Sequence, residues 1–220
     1  MCTNAAIPEK IRQCLGRPKD AAKREKILQA AGILFLKHGY ELTSMEALAK
    51  MADVSKLTVY SHFDNKAELF KEVIRQRCDR QAAPEGFLNF AKLPVEQALL
   101  QLGKILTGLI FSSDSIRLLR ILQSEAERHP QLVKIFYEAA PQRVKTAFGE
   151  LLKEWVSQGQ LVVTDIPVAT EQFFSLLKGE LYLKAMMSLE PIPDSAALEN
   201  HVRAGISLFL AGYLSKNQAG

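Results

Sequence analysis

Between Thr43 and Phe63 the chain starts a helix twice, with room for only a three-residue turn between, and this spacing constrains the fold more than any other feature. Thr43-Ser-Met-Glu46 reads as a capping box in which Glu46 reaches back to the helix start. Met45, Leu48 and Ala49 give that first helix one apolar face. Ala52-Asp53-Val54 is left for the turn, and Ser55 suits the N-cap of the second helix. Val59 and Phe63, four apart, anchor the second helix to a core. Two short helices joined this tightly have helix-turn-helix dimensions.

The rest of the chain is punctuated for helices as well, so the expected class is all-α. Ile27, Ala31, Leu34 and Phe35 follow the spacing of one buried helical face, which should stop at His38-Gly39. Asn65-Lys-Ala-Glu68 repeats the capping device before Leu69, Phe70, Val73 and Ile74. Gln81 to Leu93, with Pro84, Gly86 and Pro94 around it, is the expected seam between modules. Beyond it, longer amphipathic helices are predicted near 95–111, 115–128, 131–157 (broken at Pro141), 168–188 and 195–214. The expected organisation is a flexible tail over 1–16, a helix-turn-helix domain of three to four helices over 17–80, and a helical bundle over 81–220. The last two helices are apolar on more than one side, a pattern that fits either a partner chain or plain core. Gly103 and Gly108, inside an apolar helix, read as sites of close helix packing.

With Val59 inward and a step of about 100° per residue, Leu57 and Ser61 of the second short helix point outward. Thr58 and Tyr60 flank them, Lys56 reaches out from the first turn, and His62 lies near the end. This face carries hydroxyls, one ammonium, one apolar tip and no acid, a set suited to a DNA major groove. Lys66 adds a cation beside helix N–H groups, where phosphate is well received. Charge is distributed accordingly. Residues 1–80 hold 15 Lys and Arg against 10 Asp and Glu, whereas the remainder is close to neutral. A basic N-terminal third on a neutral remainder points to a polyanion-binding module joined to something else.

Several function classes drop out. The four histidines match no metal-ligand spacing, and Ser61 and His62, neighbours on a helix, cannot face each other as a triad needs. No GxSxG or P-loop is present, so no catalytic residue, metal or cofactor is expected. No apolar run is long enough to span a membrane. Cys2, Cys14 and Cys78 form no framework, which suits incidental thiols in a reducing cytoplasm.

The residues also resemble a known family. Lys26-Ile-Leu-Gln-Ala-Ala, Phe35-Leu-Lys-His-Gly-Tyr, Thr43-Ser-Met-Glu-Ala-Leu-Ala and Val54-Ser-Lys-Leu-Thr-Val-Tyr-Ser-His-Phe-Asp-Asn-Lys-Ala-Glu-Leu-Phe resemble the DNA-binding domain of the TetR family of bacterial transcriptional regulators. The resemblance covers residues 17–80, and the remainder is more loosely similar to multidrug-efflux repressors. It implies that Thr43 and Ser44 bind phosphate, that Lys56, Leu57, Thr58 and Ser61 read the groove, and that Tyr60, His62 and Lys66 clamp the backbone. Ser55, which caps the reading helix, is counted with this DNA-facing set. Asp53 stands at a turn position where the family often has Gly, and Asp tolerates the left-handed conformation better than most residues. The arm around Arg17 and Lys19 reads either as a minor-groove insert or as a tail acting through long-range charge.

The last two helices are expected to pair with their copies in a homodimer, whose two reading helices call for a partly palindromic double-stranded DNA operator. The resemblance further implies an unidentified small-molecule effector in the C-terminal bundle. Candidate pocket walls are Phe111, Tyr137, Trp155 and Phe174, with Phe136 and Tyr182 beside them; Arg117, Arg120 and Gln123 are candidate polar contacts. The expected function is a repressor released by its effector. The readings set against it are a helical adaptor without enzymatic activity and a nonspecific DNA-binding protein.

Overall fold

A computed structural model of the chain describes residues 18–215, with the side chains of Pro18 and Lys19 left aside. The expected tail over 1–16, Arg17, and the Lys19 side chain therefore lie outside the described residues. The described residues are helical almost throughout and form two units that divide inside one helix, between Val73 and Ile74.

The first unit holds α1 (Pro18–His38), α2 (Met45–Met51), α3 (Lys56–His62) and the opening turns of α4 (Lys66–Gln81). The predicted face of α1 is its buried face: Ile27, Ala31, Leu34 and Phe35 are all in the core. Phe35 meets Phe70 edge-on at 5.3 Å, and Tyr40 stacks on Phe35 at 5.7 Å. The helix ends where expected, with Gly39 at φ 77° and its N–H bonded to the Phe35 carbonyl. Arg24 ties α1 to α4 through Glu72 at 2.7 Å and lies over the Phe63 ring.

The second unit continues with a 3₁₀ helix over Pro84–Lys92 and then α5 (Val95–Ile110), α6 (Ser113–Glu125) and α7 (Pro130–Tyr137). A single π turn over Glu138–Gln142 takes up Pro141, which has no N–H to give, before α8 (Arg143–Ser157). Next come α9 (Ile166–Met186) and α10 (Ser195–Tyr213), capped by Asp165 and Asp194 as their positions before each helix suggest. The Pro- and Gly-marked stretch near residue 85 is part of this unit, because Phe87 and Ala91 are buried in its core.

The core lies among α5, α8, α9 and α10. Phe148 stacks on Phe173 at 4.1 Å, and Phe174 and Phe209 meet this pair edge-on. A methyl on Gly103 would come within 2.6 Å of Val202, so α5 and α10 approach too closely there for any side chain. Gly108, expected to serve the same end, has open space before it. The second departure from expectation is in α9, where Gly179 at φ 51°, ψ −160° breaks the helical path.

Candidate nucleic-acid interface and interior cavity

The geometry of the helix-turn-helix follows from three small caps. Ser44, not Thr43, begins α2: its Oγ accepts from the Ala47 N–H at 3.1 Å. Thr43 is turned inward, 1 % exposed, and its hydroxyl donates to the Gly39 carbonyl at 2.7 Å. A β-branched residue with an apolar methyl is the better of the two to bury, so the expected ligand pair at this helix start is presented as Ser44 alone. Asp53 takes the left-handed turn position at φ 54°. Ser55 then caps α3, accepting from the Thr58 N–H at 3.0 Å. Val59 and Phe63 are fully buried beneath it.

With those anchors fixed, Lys56, Leu57, Tyr60 and Ser61 are exposed and Thr58 is half-buried on the flank. Leu57 is 80 % exposed, an apolar tip with no core role. Two of the hydroxyls are engaged locally. Ser61 Oγ donates to the Thr58 carbonyl and Thr58 Oγ1 lies 2.8 Å from Ser55 Oγ, so each is held in place with lone pairs left over.

Three side chains have partners that the sequence reading does not place. Glu46 turns back toward Ser44 at its own helix start and also pairs with Lys56 across the turn. That contact holds the Glu46 carboxyl below the usual range, chiefly through the hydrogen bond from Lys56. Both groups are fully solvated, and pairs of this kind open readily when a stronger anion approaches. His62 is mostly covered, with Nε2 3.0 Å from Asp20 on α1. Lys66 donates to the Tyr40 carbonyl at 2.9 Å and the Glu41 carbonyl at 3.3 Å, over the Tyr40 ring. It therefore ties α4 to the loop after α1, whatever else its charge does. Lys66→Ala is expected to lower the stability of the first unit by roughly 1–2 kcal/mol, read as a lower midpoint in thermal denaturation. An unchanged midpoint would mean that the ammonium is not holding those carbonyls.

The second unit contains a cavity of about 150 Å³. Of the four aromatic residues expected to wall a pocket, only Phe174 lines it, joined by Phe136 and Tyr182. Trp155 has no exposure and belongs to the core, because a large aromatic on the apolar face of α8 is drawn to the centre of the unit. Phe111 packs edge-on against Tyr182 in a separate small cluster. Tyr137 is 45 % exposed and faces outward beside Lys145. Arg120 is also committed elsewhere, donating to the Ala185 and Met186 carbonyls at the end of α9. Sequence reasoning missed Arg77, Cys78 and Lys178, which line the cavity from α4 and α9. Burial raises the Cys78 thiol to about 11, so it behaves as a small apolar group.

On the outside, α9 and α10 keep apolar side chains that the core does not use. Val168 and Leu183 on α9 and Leu208 on α10 are 47 %, 56 % and 64 % exposed. Among the described residues, no helix is long and apolar enough to cross a membrane.

This arrangement has known counterparts. The family model for bacterial regulatory proteins of the tetR family matches residues 27–73, and that for the C-terminal domain of AefR-like transcriptional repressors matches residues 97–215. The HTH-type transcriptional regulator YhgD of Bacillus subtilis is 38 % identical over 69 residues, which are 28 % of this chain and 36 % of that protein. The HTH-type transcriptional repressor ComR of Escherichia coli is 34 % identical over 106 residues, 48 % of this chain and 50 % of that protein. The chain thus spans half or less of the length of these two curated relatives. The solved structure of the flavonoid-responsive regulator FrrA is 30 % identical and has a TM-score of 0.71, covering 89 % of this chain and 99 % of that one.

Proposed function

Because this chain belongs to the TetR family of bacterial regulatory proteins, we propose that it is a homodimeric repressor released from a palindromic operator by a small molecule. Regulators of this family bind DNA operators and are generally not enzymes. The observation that carries the reading is the exposed face of α3, fixed by the Ser55 cap and the Val59 and Phe63 anchors. On it Lys56, Leu57, Thr58 and Ser61 face base edges in the major groove. Ser44, Tyr60 and Lys66 serve the flanking phosphates, with Ser55 holding the helix start, while His62 is turned to Asp20 and braces α3 against α1. Leu57 suits the methyl group of thymine.

One such helix reads half a site. Two copies joined by α9 and α10 would present their reading helices about 34–36 Å apart, the spacing of successive major grooves on one face of the duplex. The exposed apolar residues of α9 and α10 support that pairing. ComR is named a repressor and FrrA is named flavonoid-responsive, which supports repression and ligand control here. An effector in the second unit's cavity must bind the DNA-free form more tightly, and the operator must weaken effector binding by the same factor.

Selection of bound duplexes from a random pool at two salt concentrations tests the reading. An enriched partial palindrome, lost at high salt, is the expected result. Salt-sensitive binding without a motif would replace it with nonspecific binding, and no binding would favour a helical adaptor. On the selected duplex, Ser61→Ala or Thr58→Ala should alter base preference by about 1–3 kcal/mol at one position per half-site. An equal loss on every sequence would move those hydroxyls to the phosphates.

A further inference from the structure

We propose that the cavity of the second unit takes a compact, apolar monoanion, such as a single-ring or short branched carboxylic acid, with its carboxylate against the Lys178 ammonium. This rests on the reading of that cavity as the effector site and names the chemical class it selects.

The cavity walls carry the argument. Leu106, Leu109, Leu118, Phe136 and Phe174 supply hydrocarbon, and no Asp or Glu lines the space. Three cations do line it. Arg77 is 3.0 Å from Asp114, and Lys145 is 2.7 Å from Glu171, so both are matched. Lys178 has no carboxylate within ion-pair distance among the described residues; its ammonium lies 5.5 Å from the centre of the Tyr182 ring. One positive charge is left over, facing an apolar hollow. Arg77 Nε is also buried with no partner, a second donor available to an incoming oxygen.

A partly buried ammonium whose nearest carboxylate, Glu171, is already paired with Lys145 is costly, and the cost is relieved either by losing the proton or by gaining an anion. The first route is already partly taken. Burial, reinforced by Lys145 and only partly offset by Glu171, pushes the Lys178 ammonium below the usual lysine range. An anionic ligand supplies the second route and restores the proton. A neutral or cationic molecule of the same shape gains nothing from Lys178 and, if cationic, is repelled.

Size sets the other limit. A hollow near 150 Å³ is comparable with an apolar cavity that holds one benzene-sized group. A single ring with a short acid arm fits that space.

Isothermal titration of the full chain with three isosteres tests the assignment: 3-phenylpropanoate, 3-phenylpropanamide and 3-phenylpropylammonium. The acid is expected to bind roughly 10- to 100-fold more tightly than the amide, and the ammonium compound more weakly than either. Lys178→Met should abolish the acid's advantage, and Lys178→Arg should restore most of it, which separates lost charge from lost folding. Equal binding of acid and amide, a preference that survives Lys178→Met, or no binding of any of the three overturns the proposal. Release of the selected operator is measured separately. Acid that binds through Lys178 but leaves the operator complex intact supports the cavity assignment and overturns the effector reading instead.

Discussion

Replacing Gly179 with alanine should lower the thermal midpoint of the protein by roughly 5–12 °C, from strain of about 1–3 kcal/mol in the backbone plus a steric clash. Alanine is the better helix former by nearly 1 kcal/mol, so in an unbroken α9 the same substitution would be neutral or stabilising. The opposite sign is expected because Gly179 sits at φ 51°, ψ −160°, a region open essentially to glycine alone. An added Cβ would also lie 2.7 Å from Cε1 and 3.2 Å from Nε2 of His201 on α10. The two costs can be separated. Gly179→Ala combined with His201→Ala should recover the clash and leave the backbone strain. A midpoint equal to or above that of the parent chain would mean that α9 runs straight through this position.

That break is a fair measure of what a sequence conceals. Phe173, Phe174, Leu176, Leu177, Leu181 and Tyr182 form one apolar run, and Gly179 inside it carries no stop signal of its own. The His201 ring, which arrives from another helix, fills the space that a side chain at this position would need. By contrast, the cap, turn and anchors of α3 in the first unit are legible. Ser55, Asp53, Val59 and Phe63 act within one turn of their own position, so cap, turn and anchors follow from spacing. Even there the reading failed where a choice depended on a third element. Ser44 rather than Thr43 caps α2, because the Gly39 carbonyl offers Thr43 a buried partner. Glu46 adds to its contacts at the helix start a pair with Lys56 that spacing alone does not mark.

The second unit shows the same division. Asp165 and Asp194 cap their helices from the position just before each, and Pro141 disturbs its helix as expected, each a matter of a few residues. The cavity is different, because its wall is assembled from six helices and no one of them marks it. Trp155 looked like a wall residue for the same reason that it is core: it is large, aromatic and on an apolar face. The apolar excess of α9 and α10 had two readings, and most of it is core. Phe173, Leu177, Val202, Ile206 and Phe209 are all buried within the chain itself. What remains outside is small, and it decides where a second copy could attach.

Leu208→Glu should therefore weaken operator binding strongly without touching the DNA-facing helix. Leu208 is 64 % exposed, so a carboxylate there leaves the unit's own core intact and its thermal unfolding nearly unchanged. Exposed Ala204, Ala211 and Gly212 surround it on α10, leaving room for close approach by a partner helix. In a twofold interface each copy would bring its own carboxylate into the same apolar patch, where unpaired charge is poorly tolerated. The variant is expected to sediment as a monomer. Its affinity for the full palindrome should fall by about 10²- to 10⁴-fold, because the second half-site no longer contributes through a tethered copy. Affinity for an isolated half-site should not change, since α3 is untouched. Leu208→Met, which keeps the apolar surface, should retain both dimer and affinity. A Leu208→Glu protein that remains dimeric would move the interface off α10. A monomer with undiminished affinity would instead mean that one copy of α3 reads the whole site, and the requirement for twofold symmetry in the DNA would go with it.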